Sequence, residues 1–103
     1  MGMIVLRWQA PLRPTLAQAR MIFLAEDLTP SEEVLSSEDE YPEHLHPFDE
    51  VRMIIAGELS MNISGNRLLL RAGDKIVIPA NTKHSQSVAE GQTCQTLVAN
   101  RPF

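Results

Sequence analysis

The most regular pattern in the chain is an alternation of apolar and polar positions in its second half. Leu59, Met61 and Ile63 alternate with Ser60, Asn62 and Ser64, the period-2 signature of a strand with one buried face. Ser64-Gly65-Asn66 predicts a tight turn, and Leu68 to Arg71 predicts the returning strand of a hairpin. Upstream, Val51 to Ala56 is a β-branched and aliphatic run stopped by Gly57. Downstream, Ala72-Gly73-Asp74 predicts a second turn and Ile76 to Ile78 a strand stopped by Pro79. His84 to Val88 and Thr93 to Ala99 predict two more strands, with Glu90-Gly91 between them.

The first half is patterned more weakly. Met3 to Trp8 is a short apolar run that predicts an edge strand, and Pro11 and Pro14 interrupt any regular structure after it. Arg20 to Ala25 reads as a buried strand. Residues 26–43 are polar and acidic. Within them, Thr29 as N-cap and Pro30 as first helical residue predict a single helical turn through Val34-Leu35. Glu38-Asp39-Glu40 reads as a solvated loop. Short strands joined by glycine turns predict an all-β fold, a sandwich or barrel. No internal repeat is visible.

Length and charge narrow the class. With 103 residues there is room for one domain, 1–103, in which residues 1–43 supply N-terminal strands and an acidic loop and 44–99 the barrel. A hydrophobic fraction of 44% is enough for a core. A net charge of −4 and a pI near 5.2 argue against a sequence-independent grip on nucleic acid or on an anionic membrane. No apolar run approaches the roughly 20 residues of a membrane span. Residues 1–7 are too short and too thinly charged for a secretory signal. Cys94 is the only cysteine, so no intrachain disulfide can form, and it is expected to be a buried small hydrophobe. A cytoplasmic location is the default expectation.

The three histidines carry the chemistry. His44 and His46 sit two apart. On an extended strand they emerge on one face with Cβ atoms about 6–7 Å apart, close enough for one ion between two imidazoles. Glu50 opens the next strand after a bend at Pro47-Phe48 and can point into the same space. Its neighbour Asp49 competes for that role, since adjacent strand residues face opposite ways. His84 is distant in sequence, but a sandwich brings distant strands face to face. Neutral imidazoles with one carboxylate suit a borderline divalent cation.

The stretch from His44 to Gly57 reads His-x-His, three residues, Glu, six residues, Gly, which resembles the first motif of the cupin superfamily. Gly73 to His84 reads Gly, five residues, Pro-x-Asn-x-x-His, which is similar to the second cupin motif. The short spacer, Glu58 to Ala72, is like that of compact microbial members with one conserved barrel. Three positions depart from the pattern: Glu38 and Asn81 replace glycines, and Val88 replaces an asparagine. Asn is the next most tolerant residue for a left-handed turn. The resemblance implies a jelly-roll (double-stranded β-helix) barrel and makes His44, His46, Glu50 and His84 ligands of one metal ion. The alternative is a pocket that holds no metal tightly. The resemblance also implies a homodimer, in which Trp8 can pack on the second subunit.

Arg52 and Gln86 share strand faces with Glu50 and His84 and are possible pocket contacts, though Arg52 can equally be tied up in a salt bridge at the rim. Three imidazoles and one carboxylate leave two positions open on a six-coordinate ion, which can be iron, manganese, nickel, cobalt or zinc. One carboxylate against a divalent cation leaves the site with net positive charge, which suits an anionic, chelating small molecule such as a keto acid, an enediol or a catechol-like oxygen pair. The expected function is a metal-dependent oxygenase, isomerase or lyase. The alternatives are a non-catalytic small-molecule-binding module and a structural barrel, because one scaffold hosts many functions.

Overall fold

The computed structural model describes residues 3–101. In chain order the elements are β1 (Ile4–Leu6), α1 (Leu16–Ala25), β2 (Ser31–Ser36), β3 (Tyr41–His44) and β4 (Asp49–Ala56). They continue with β5 (Glu58–Ile63), β6 (Asn66–Arg71), β7 (Lys75–Ile78), β8 (His84–Ser87) and β9 (Thr93–Arg101). Two antiparallel sheets form, one in the order β1-β7-β4-β9-β2 and the other β3-β8-β5-β6. This is the β-sandwich that the strand pattern predicts.

Two apolar layers hold it together. Between the sheets lie Leu35, Ile54, Leu59, Met61, Ile63, Leu70, Ile76, Ile78, Val88 and Cys94. On the outer side of the five-stranded sheet, Ala19, Phe23 and Leu28 pack on Val51, Met53, Ile55, Leu97 and Ala99. β4 serves both layers: Ile54 points between the sheets while Val51, Met53 and Ile55 face the helix side. A strand covered on both faces has no reason to alternate, which explains the unbroken run at Val51 to Ala56.

The structure corrects the first half of the sequence reading in two places. Arg20 to Ala25 is not a buried strand but the last turns of α1. Thr15 caps that helix: its hydroxyl accepts from Gln18 N at 3.1 Å, and Gln18 Oε1 accepts from Thr15 N at 2.9 Å. This reciprocal pair is a capping box. Leu16, Ala19, Ile22 and Phe23 then fall on one helical face against the sheet. Conversely, the segment read as a helical turn through Val34-Leu35 is the edge strand β2, paired with β9 from Ser31↔Val98 to Ser36↔Thr93. A single isolated turn would satisfy few of its own backbone groups, whereas pairing with β9 satisfies a row of them.

Tight approaches fix the corners. At Gly57 (φ +85°) an added Cβ would lie 2.5 Å from the Thr93 carbonyl oxygen, so the corner between β4 and β5 admits only glycine. The Trp8 indole lies over Gly73 and donates its Nε1–H to the Leu12 carbonyl at 2.7 Å. That ring, which the sequence offers to a second subunit, makes these contacts within its own chain. Asn81 adopts φ +59°, the left-handed conformation its place in the second motif requires.

Candidate metal centre

β3 and β8 are paired so that His44 and His84 are direct Cα partners. The His-Leu-His segment is not one continuous strand. β3 ends at His44, and His46 lies in the loop that follows, anchored where its carbonyl accepts from Asn81 N at 2.6 Å. Leu45 is turned out to solvent, so the two imidazoles still share a side. Ring centroids are 4.8 Å apart for His44 and His46, 4.2 Å for His44 and His84, and 5.3 Å for His46 and His84. The ligand atoms of the three imidazoles all lie within 4.8 Å of one another, so this group could hold a metal ion.

Local hydrogen bonds fix which nitrogen faces inward. His44 Nδ1 lies 2.7 Å from the Pro42 carbonyl and His84 Nδ1 lies 2.9 Å from that of Thr82. A carbonyl only accepts, so each Nδ1 carries the proton and donates, leaving Nε2 with a free lone pair. His84 Nε2 is buried and has no hydrogen-bond partner. A buried polar atom left unsatisfied costs on the order of 1–3 kcal/mol, so such atoms are rare unless something binds them. Burial also pushes His84 below its ordinary pKa, reinforced by His44 and His46 and outweighing the opposing Thr82 carbonyl and Glu50. A neutral, lone-pair-bearing imidazole is what a metal ligand must be. The donor set fits a divalent ion. His46 is steadied by stacking on Phe48, at 4.8 Å between centroids and 8° between planes.

Glu50 is buried beside this group. Its Oε1 lies 3.5 Å from His46 Nε2 and 4.0 Å from His84 Nε2. Asp49 faces the other way and accepts from Ala80 N at 2.9 Å, so the two neighbours divide as strand geometry demands. Arg52 is a salt-bridge residue, deep in the cavity rather than at its rim. Its Nε donates to Glu50 Oε2 at 3.2 Å, and its Nη1 donates to Glu33 Oε1 and Thr96 Oγ1, each at 2.9 Å. The Thr96 hydroxyl in turn donates a hydrogen bond to the Glu33 carbonyl at 2.9 Å. Gln86 is buried on β8 and its Oε1 has no partner.

His44, His46, Glu50, Arg52, Glu33 and Gln86 line one cavity of about 850 Å³, whose walls also include Glu40, Tyr41, Phe48, Val98 and Asn100. That size suits a small-molecule ligand. Glu33 and Thr96 are site residues the sequence reading missed. Glu33 lies in the segment misread as helix. Thr96 had one signal: a polar residue at the same parity as Cys94, on the side of the strand expected to be buried.

The chain is 36% identical over 66 residues to the acireductone dioxygenase of Leishmania major, matching 59% of this chain and 19% of that protein. It therefore spans about a fifth of the length of the curated relatives it matches. Among solved structures, the acireductone dioxygenase from Bacillus anthracis with a cadmium ion in its active center superposes with a TM-score of 0.70 at 18% identity. That match covers 98% of this chain and 78% of the other. A cupin protein from Bacteroides fragilis superposes with a TM-score of 0.61 at 24% identity, covering 71% of this chain and 64% of the other. At such identities the likeness speaks for the fold. The family described as Cupin domain matches residues 31–100, about two thirds of the chain and all of the groups above. With both histidine-bearing segments inside that match, the chain belongs to the cupin family.

Proposed function

We propose that this cupin holds one divalent metal ion through His44, His46 and His84, with Glu50 as the fourth ligand, and uses it to bind a small oxygenated molecule in the cavity. The observation that carries this reading is the convergence of three imidazoles around a buried His84 Nε2 that nothing in the protein satisfies. Glu50 supports it by presenting Oε1 toward His46 and His84 while Arg52 occupies Oε2. A bound ion would supply Lewis acidity toward a chelated pair of oxygens. The chain's own part is to turn Nε2 of His44 and His84 toward the ion through the Pro42 and Thr82 carbonyls, to orient Glu50 through Arg52, and to enclose the ligand. The likeness to acireductone dioxygenases favours metal-dependent oxygenation as the reaction class.

The test is elemental analysis of untagged protein after dialysis, beside the His44→Ala/His84→Ala double variant. Close to one equivalent of iron, manganese, nickel, cobalt or zinc in the wild type, lost in the variant, is the expected result. No metal in either, and none taken up on reconstitution, would refute the site.

One observation favours a second reading, capture without turnover. Arg52 and Glu33, which join Glu50 in the cavity lining, are paired with each other, so neither side chain is unpartnered beside the proposed ion. A metal-loaded protein that retains a chelating ligand unchanged in air would support capture.

A further inference from the structure

Among the described residues, two buried side-chain atoms have no hydrogen-bond partner: His84 Nε2 and Gln86 Oε1. They are two residues apart on β8 and therefore share a face. Both residues border the space between the sheets, and Gln86 lines the same cavity as His44, His46, Glu50 and Arg52. The proposed metal explains the first orphan. It does not explain the second. Gln86 is only 9% exposed, and its amide cannot escape the cost of burial by changing protonation, as an imidazole can.

The charges around the cavity point the same way. Its lining holds three carboxylates, Glu33, Glu40 and Glu50, against one guanidinium, Arg52. The acidic groups of the lining thus outnumber the basic one by two, which a divalent ion offsets. Arg52 is not free to receive an anion, because Glu50, Glu33 and Thr96 already hold it. A loaded site of this kind has no surplus positive charge for a dianion. This revises the expectation of a net positive site suited to anionic chelators in general.

Building on that metal site, we propose that Gln86 is a specificity-determining residue that accepts a hydrogen bond from the ligand. It selects neutral or singly charged oxygen chelators that carry an O–H or N–H donor, such as enediols, over dicarboxylates that carry none. A site built around a buried hydrogen-bonding group discriminates strongly against a ligand that leaves the group unpaired.

The experiment uses cobalt(II)-loaded full-length protein and two probes, with binding followed by the visible absorption of the ion. Acetohydroxamate chelates through two oxygens as a monoanion and keeps an N–H donor; oxalate chelates as a dianion and has no donor. Gln86→Met keeps the length and bulk of the side chain but removes the acceptor. It is expected to weaken acetohydroxamate binding about tenfold, the equivalent of one net hydrogen bond, while oxalate affinity stays within about twofold. Gln86→Glu keeps an acceptor and adds charge, so acetohydroxamate affinity should persist while oxalate affinity falls; this arm decides the matter if Gln86→Met does not fold. Equal effects on both probes in the folded variants, with cobalt still bound at one equivalent, overturn the role of Gln86 and leave the metal site standing. A wild-type protein that takes up no cobalt overturns both.

Discussion

Asp74 is a buried carboxylate that receives hydrogen bonds from the backbone N–H groups of Trp8 and Arg71 and from the Arg7 guanidinium, at 2.7–3.0 Å. Burial alone would raise its pKa, but these donors outweigh it and hold the group below its ordinary value of 3.8. A depressed folded-state pKa contributes stability that is fully present above the unfolded value and is lost as pH falls through the folded one. The stability difference between wild type and Asp74→Asn, measured by denaturant unfolding, should therefore be constant above about pH 5 and shrink below pH 4. A difference that grows on acidification would contradict this account. Cys94 is the opposite case, a thiol with no stabilising donor. Burial pushes its pKa up to about 11, against a smaller opposing effect of Arg52. Native protein should be inert to a thiol-modifying chromogen at pH 8 and react with one equivalent only after unfolding.

Among the elements, α1 shows where the reading of the sequence went wrong and why. A six-residue apolar stretch from Arg20 is ambiguous between buried strand and helix when read alone. The deciding signal lay five residues upstream, in the Thr15-x-x-Gln18 capping pair and the spacing of Leu16, Ala19, Ile22 and Phe23. α1 covers the outer face of the five-stranded sheet, so Phe23, fully buried there, anchors a whole layer. Phe23→Ala should cost about 3–5 kcal/mol in unfolding free energy. A loss below about 1 kcal/mol would mean that the helix is a dispensable cover. β4 illustrates the reverse. Its apolar run was read correctly as a strand, yet the two-sided burial that produces the run became evident only once α1 was in place.

At the scale of the molecule, the proposed metal ion joins β3, β4, β8 and the loop after β3, so its binding should be felt as global stability. A ligand that binds only the folded state stabilises it by about 2.7 kcal/mol at a hundredfold excess over its Kd. Thermal unfolding of the wild type should accordingly shift upward with the divalent ion and back down with a chelator, while His44→Ala/His84→Ala shows neither shift. Identical melting with and without metal would count against the site. The sequence by itself determined the succession of strands along the chain from β4 onward, the turns that join them, and the spacing of His44, His46, Glu50 and His84. These depend on local rules: period-2 burial, left-handed turn residues, and motif offsets measured along the chain. Its motif spacing pointed to Glu50 over Asp49, and the structure sets Glu50 beside the imidazoles and Asp49 on the Ala80 N–H. Only the tertiary structure decided that residues 31–36 are a strand rather than a turn of helix, because the groups that satisfy their backbone belong to β9, some sixty residues away. The same holds for the Glu33–Arg52–Glu50 chain and for the unsatisfied Gln86. A hydrogen-bond partner, or the lack of one, is a property of space that no spacing along the chain encodes.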